Sequence, residues 1–555
     1  MKRLPRLVLG AAPLFVVLPA SAQNQGWIQQ LGTNTVDTSV AIRSDGAGGA
    51  FVGGTTGALL GGTHAGGVDA WLARRDGAGN PLWIRQLGTT STDACRGVAP
   101  DGSGGVYAYG STFGSLGGAS AGNEDAWVAR YDASGTQLWI RQLGSTAADL
   151  GLDGAADGAG GVYLTGYTTG NLAAPNAGQS DVWIARYDGA GNQVWIRQLG
   201  TTLGETGEAI AIDGAGGAYV AGITLGVLGG TSVGQGDAWL ARYDGAGNQV
   251  WIRQFGSSDY DSAYAVASDG AGGAYLTGDT WGDLAASNAG VTDAWIARYD
   301  GAGNSLWARQ FGTSVSDVLG SVDLDPAGGA YAGGSTSGSL AAQNSGLGDV
   351  LIARYDAAGN ALWLHQFGTG GSDLAAGVAS EGANSLFACG GTAGGLGGPS
   401  AGGSDAWFAR IDVSRALTTT YCTAKVNSLG CSPAIALPVA PSASAASGCM
   451  LSTSNVIGNK NGLYFHSTSG ASGAPVHGGF LCVKSPTKRH AVQASGGTGG
   501  ACNGSFSEDL NAYIASGADP ALVAGAQLWI QTWSRDPGAA FTDSLSNAVT
   551  ATICP

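Results

Sequence analysis

Between Trp251 and Trp307, apolar and aromatic residues fall into four short runs, at 262–268, 273–277, 293–299 and 305–311, each bounded by Gly, Asp, Asn or Ser. None shows the 3.6-residue apolar stripe of a helix, and the glycine density disfavours helix further. Short runs rich in aromatic and β-branched residues predict strands. Asp-Gly-Ala-Gly-Gly separates the first two runs and Asp-Gly-Ala-Gly-Asn the last two. Such links suit tight hairpins, where glycine supplies the positive φ. The segment therefore predicts one four-stranded antiparallel unit.

The pattern recurs without insertion. Trp27, Trp83, Trp139, Trp195, Trp251, Trp307 and Trp363 stand 56 residues apart, the mark of one unit copied along the chain. Seven four-stranded units predict a β-propeller. The chain begins on a fourth-type strand at 27–32 and ends the last copy on a third-type strand at 405–412. A ring pairs these two orphans, whereas a solenoid leaves both as open edges. The expected architecture is all-β: a seven-bladed propeller over 23–413, its last blade closed by the N-terminal strand, then a small disulfide-rich β domain over 414–555.

These residues carry a family likeness. With D-A-W-x-A-R-Y-D-G-A-G-N-x-x-W-x-R-Q-[LF]-G and D-G-A-G-G-A-Y-x-x-G, the chain resembles the SBBP-type bacterial β-propeller repeat over about 26–413. The resemblance implies the propeller fold and is nearly silent on function. Leu351 departs from it at the D-A-W position, and His365 replaces the Arg that follows the periodic Trp. The last segment is similar to a C-terminal module appended to varied exported bacterial proteins. That likeness rests on Tyr421-Cys422-Thr423-Ala424-Lys425, Gly478-Gly479-Phe480-Leu481-Cys482-Val483 and Trp533-Ser534-Arg535-Asp536-Pro537-Gly538. It implies sorting, surface display or matrix attachment.

Repetition inside one chain separates scaffold from function, because a residue present in every blade answers a need that every blade has. Trp71, Trp127, Trp183, Trp239, Trp295 and Trp407 read as packing between sheets rather than as sugar platforms. The repeated Arg, as at Arg74, two residues before Asp76, reads as a structural Arg–carboxylate network whose Asp also satisfies turn amides. Ten residues after each periodic Trp stands an acid: Asp37, Asp93, Asp149, Glu205, Asp261, Asp317 and Asp373. These precede the first strand of each blade, which in a propeller is innermost, so they are candidates for an acidic ring at one channel mouth, where calcium is the possible cofactor. The structural alternative is that each accepts backbone hydrogen bonds.

Function is expected where blades differ, on the face carrying the longer links. Blade five stands out there with Asp259, Tyr260, Asp279, Trp281 and Asp283. The equivalents of Trp281 are Gly57, Phe113, Thr169, Leu225, Ser337 and Ala393. Trp281 and Phe113, with the neighbouring acids, are candidates to stack on a sugar or to grip a basic partner.

Charge and cysteine then narrow the setting. Residues 23–413 hold 35 acids against fifteen Arg and no Lys, a formal −20. That excludes nucleic acid, whose phosphates call for clustered cations. Lys2, Arg3 and Arg6 precede an apolar stretch at 7–18 and Ala20-Ser21-Ala22, which predicts a secretory signal peptide over 1–22. Gln23, not Cys, follows the cut, so no lipoprotein anchor is expected, and no stretch has the length of a membrane span. Export and a monomer are the expectation. Cys422, Cys431, Cys449, Cys482, Cys502 and Cys554 predict disulfides with fifteen possible pairings, while Cys95 and Cys389 read as buried thiols.

No catalytic motif stands out: none of the five His lies in an H-E-x-x-H helix, and no G-x-S-x-G elbow sits between a strand and a helix. The G-A-G-N-x-x-W run is similar to the tryptophan-docking repeats of quinoprotein dehydrogenases, but their paired Cys and cation site have no counterpart here. The favoured reading is a secreted, non-catalytic binding or display module for glycans or proteins. The alternative is an extracellular polysaccharide lyase, hydrolase or quinoprotein-like enzyme acting at the long-loop mouth of the channel.

Overall fold

The Asp-Gly-Ala-Gly-Gly links close as hairpins held from inside. In blade five Asp269 N donates to Gly273 O at 2.9 Å, and the Asp269 carboxylate accepts from the amides of Ala271 and Gly273. Gly270 and Gly272 take φ of 70° and 94° there, a region that side chains disfavour. In the computed structural model the described residues are 24–553 without 327, 383–384, 413–417, 438–440, 444–446 and 524–525. The signal peptide expected at 1–22 and Cys554 lie outside them.

Every copy forms a four-stranded antiparallel sheet. Blade five runs Asp261–Ser268, Ala274–Thr280, Asp293–Tyr299, Ser305–Phe311, hydrogen-bonded in that order. The last sheet is Asp373–Ser380, Ser385–Thr392, Asp405–Asp412 and then Asn24–Leu31, so the N-terminal strand completes blade seven. First strands of successive blades lie side by side, and blade one meets blade seven, which closes the ring with the first strands innermost.

The repeated Trp are scaffold. Trp71, Trp183, Trp239, Trp295 and Trp407 are fully buried. Trp183 Nε1 donates to Leu150 O at 3.0 Å and Tyr167 O at 3.2 Å, tying the third strand to the first and second. Each such ring contributes roughly 1.5–3 kcal/mol or more by burial. The fourth-strand Trp reach the next blade: Trp83 Nε1 donates to Ala133 O at 3.0 Å. Fourth-strand Gln residues pin the long link of their own blade. Gln86 donates to Ala58 O and Asp69 and accepts from Leu60 N. Gln30 repeats this on blade seven from the other end of the chain.

The repeated Arg does not pair with the Asp two residues on. Arg74 pairs with Asp45 across the hairpins at 2.8 Å, while Asp76 accepts from the amides of Ala78 and Asn80. Blade seven uses Glu381 against Arg410 in the same place.

Blade six explains the departure at His365. Elsewhere the fourth-strand Trp and Arg donate to the outer hairpin of the following blade, as Trp307 does to Ala357 O and Arg309 to Gly359 O. Blade seven has no such hairpin, because its fourth strand comes from the N-terminus. Trp363 Nε1 and both ring nitrogens of His365 are buried without a hydrogen-bond partner among the described residues.

The chain divides into two compact units, the second being Asp412–Pro555. That unit has a six-stranded sheet, a three-stranded sheet and one hairpin. One short helix, Leu510–Ala515, is capped by Asp509. Tyr464, Phe506, Leu528 and Ile530 centre its core. Disulfides join Cys422 to Cys482 and Cys431 to Cys502. In the propeller Cys95 and Cys389 are buried thiols, each pushed up to about 12 by burial.

Candidate ligand site at the mouth of the channel

The seven acids that open the innermost strands are fully buried. Each accepts the amide four residues upstream: Asp37 from Thr33, Asp93 from Thr89, Asp149 from Ser145, Glu205 from Thr201, Asp261 from Ser257, Asp317 from Thr313 and Asp373 from Thr369, at 2.5–2.6 Å. All but Asp37 also accept from a second-strand Thr hydroxyl, Thr112 for Asp93 and Thr280 for Asp261 among them. The geometry is a staple from the inter-blade link to the second strand. Among the described residues no group of three or more His, Cys, Asp or Glu is placed to hold a metal ion.

Blade five brings most of its distinctive residues together. Trp281 N donates to Tyr260 O at 2.9 Å, which sets the two rings 6.4 Å apart. Trp281 is 53 % exposed and Tyr260 41 %. Tyr260 immediately precedes the innermost strand, so the pair sits at the channel mouth. Asp283 accepts from Asn288 N, and the Asn288 side-chain amide donates to Trp281 O at 2.6 Å, which fixes the loop under the indole. Asp259 is half-buried, its carboxylate beside Gly282. Phe113, 48 % exposed, holds the Trp281 position in blade two, three blades away.

Asp279 points the other way. It is 6 % exposed, and its Oδ1 has no hydrogen-bond partner. Burial raises its pKa, as does Asp261, against the opposing pull of Ser262 and Tyr264. Tyr264 itself is pushed up to about 12, by burial first and Asp279 second.

Tyr264 leads to a feature that the sequence reading passed over. The first strand of every blade carries a β-bulge at its fourth residue: the register with the second strand slips between Ala263 and Ala265, and at the same place in the other six. A bulge re-aims the side chain it frees. The seven bulge residues are Val40, Arg96, Leu152, Glu208, Tyr264, Gly320 and Ala376, and all of them line one cavity of about 160 Å³. Its polar side comes from Arg96, Glu208 and Tyr264. Its apolar side comes from blades six, seven and one.

Burial raises the Glu208 pKa, while Thr206 and Arg96 oppose the rise. Arg43 and Asp153 also line the cavity. Burial works to discharge Arg43, but Tyr109, Asp153 and Asp323 around it outweigh that and keep it charged. Asp153 accepts from Tyr109 Oη at 2.8 Å and Ile210 N at 2.9 Å, and Asp323 accepts from Ser380 N at 2.7 Å. The deeper layer thus stitches neighbouring innermost strands together.

Comparison with known proteins matches residues 194–229 and 250–285 to the SBBP β-propeller repeat. A regulatory protein of Caulobacter vibrioides, FlaEY, is 30 % identical over 230 residues; the match spans 38 % of this chain and 24 % of that protein. Among solved structures, a protein of unknown function from Dyadobacter fermentans covers 71 % of this chain and 99 % of its own at 12 % identity and a TM-score of 0.36. A polysaccharide lyase of type PL25, an ulvan lyase, covers 65 % and 93 % at 10 % identity and the same TM-score. Likeness at this level says nothing of a site. Two of the copies in this chain thus match β-propeller repeats of the SBBP type.

Proposed function

We propose that the protein is an exported β-propeller that binds glycans at the blade-five side of the channel mouth. The exposed Trp281–Tyr260 pair carries the reading, since no other blade places two aromatics there. Aromatic faces suit the C–H face of a sugar, and the carboxylates around them suit its hydroxyls. The two disulfides fit an oxidising compartment. Among the described residues no helix is long and apolar enough to cross a membrane.

A glycan array on the exported chain, with calcium and with chelator, tests this. Selective binding lost in Trp281→Ala supports it. Binding lost only with chelator transfers the role to the acidic positions. No binding in either condition refutes it and favours a protein partner.

Catalysis is the second reading, favoured by the buried Glu208 and Asp279 with raised pKa. Tyr264 stays protonated at ordinary pH and serves as a donor, not a base. Release of sugar products from a polysaccharide panel, abolished by Glu208→Gln, supports this reading. No release from any polysaccharide rules it out.

A further inference from the structure

We infer that the cavity ringed by the bulge residues takes the terminal, uncharged sugar residue of a glycan, so that the protein reads chain ends. This rests on the glycan reading of the rim and deepens it.

The bulge position is where the first strands differ most, with a different residue in each of the seven blades. It holds Arg in blade two, Glu in blade four and Tyr in blade five, but Gly and Ala in blades six and seven. A scaffold need would be met alike in every blade, so this diversity calls for another cause. The resulting wall is hydroxyl-binding on one side and apolar on the other, as the edge and face of a single sugar ring require.

Charge selects among sugars. Glu208 lines the cavity, and behind Tyr264 the Asp279 carboxyl, outside the lining, has a buried Oδ1 that lacks a partner among the described residues. Such acceptors want hydroxyl donors. Of the two cations that line the cavity, Arg43 is already offset by Asp153 and Asp323, so a uronate would meet Glu208 with only Arg96 left to balance it. Size selects the end of the chain. About 160 Å³ is below the roughly 300 Å³ at which pockets for larger ligands begin. One residue fits, and a polysaccharide strand does not pass through.

Gly320 offers a clean block. A Cβ built there meets nothing within 4 Å, so Gly320→Leu fills the cavity from its apolar side while the fold is kept. Titration calorimetry on the full chain would use cellopentaose, laminaripentaose and mannopentaose, each native or with its terminal residue oxidised to the uronate. The expected result is that a native pentasaccharide binds, and that Gly320→Leu and terminal oxidation each weaken it at least tenfold at unchanged melting temperature. Binding that depends on Trp281 but ignores Gly320→Leu overturns the end-reading site and leaves the rim reading standing. Preference for the uronate form overturns the charge selection. No binding of any pentasaccharide overturns both readings.

Discussion

Removing one carboxylate staple should cost stability in a way that no metal can restore. In blade two, Asp93 accepts from Thr89 N at 2.5 Å, from Thr89 Oγ1 at 3.0 Å and from Thr112 Oγ1. Asp93→Ala strands a buried amide that has no alternative acceptor, while both hydroxyls can turn to other partners. Hydrogen bonds to a charged acceptor contribute about 1.5–3 kcal/mol, and a buried donor left unmet costs about 1–3 kcal/mol. The sum for this site is about 4 kcal/mol. With an unfolding entropy of about 2.1 cal/mol/K per residue over a ring of this size, that lowers the melting temperature by about 5 °C. Asp93→Asn keeps one acceptor and should lose about half as much. Calorimetric scans of the wild type and both variants, with and without excess chelator, test the reasoning. Chelator should leave every scan unchanged, and Asp283→Ala on the exposed loop should melt as the wild type does. An Asp93→Ala scan matching wild type, or a wild-type melt lowered by chelator, would refute the staple.

Three further outcomes follow from buried groups. Burial holds His365 down at about 4, below its ordinary 6.5, so its contribution is intact above pH 6.5 and is lost as pH falls toward 4, about 3 kcal/mol in all. In melts across that window the wild type should lose about 3 kcal/mol relative to His365→Leu as pH falls, and parallel curves would contradict this. In the second unit, Asp519, His466, His490 and Glu508 form one chain with contacts of 2.9, 2.8 and 2.9 Å, with Lys488 on Asp519 and Tyr513 stacked on His490. Burial, then His490, lowers the His466 pKa against the pull of Asp519. Stability from His466 is therefore present above pH 6.5 and lost as pH falls below it; NMR titration should place its midpoint below 6.5, and a midpoint above 6.5 would contradict the chain. Cys431→Ser with Cys502→Ser should destabilise the second unit by about 2–5 kcal/mol and leave the propeller melt in place, which two-transition calorimetry reads directly.

The periodic Trp made the ring legible, and the cut through the last copy made its closure legible. Contacts that depend on side-chain direction were not. Arg74 and Asp76 share a strand face by spacing, yet the hairpin turns Asp76 onto its own amides and leaves Asp45 for the Arg. Spacing puts Asp37 and its six equivalents just before the innermost strands, and in the structure they are the first residues of those strands, but spacing does not tell a side chain facing the channel from one folded back onto its own link. The bulge ring escaped because a bulge is set by register with the neighbouring strand, and a period-2 reading assigns its residue to the wrong face. A signal did exist. Aligning the copies three residues past each acid gives Val, Arg, Leu, Glu, Tyr, Gly and Ala, the one column of that strand with a different residue in every copy.

Hydrogen–deuterium exchange on the full chain, with and without the glycan that an array selects, tests the central claim most directly. The account predicts protection confined to the links around Tyr260 and Trp281 and to the innermost strands of blades two, four and five. Protection spread evenly over the seven blades, or found only in the second unit, would contradict recognition at the blade-five mouth of the channel.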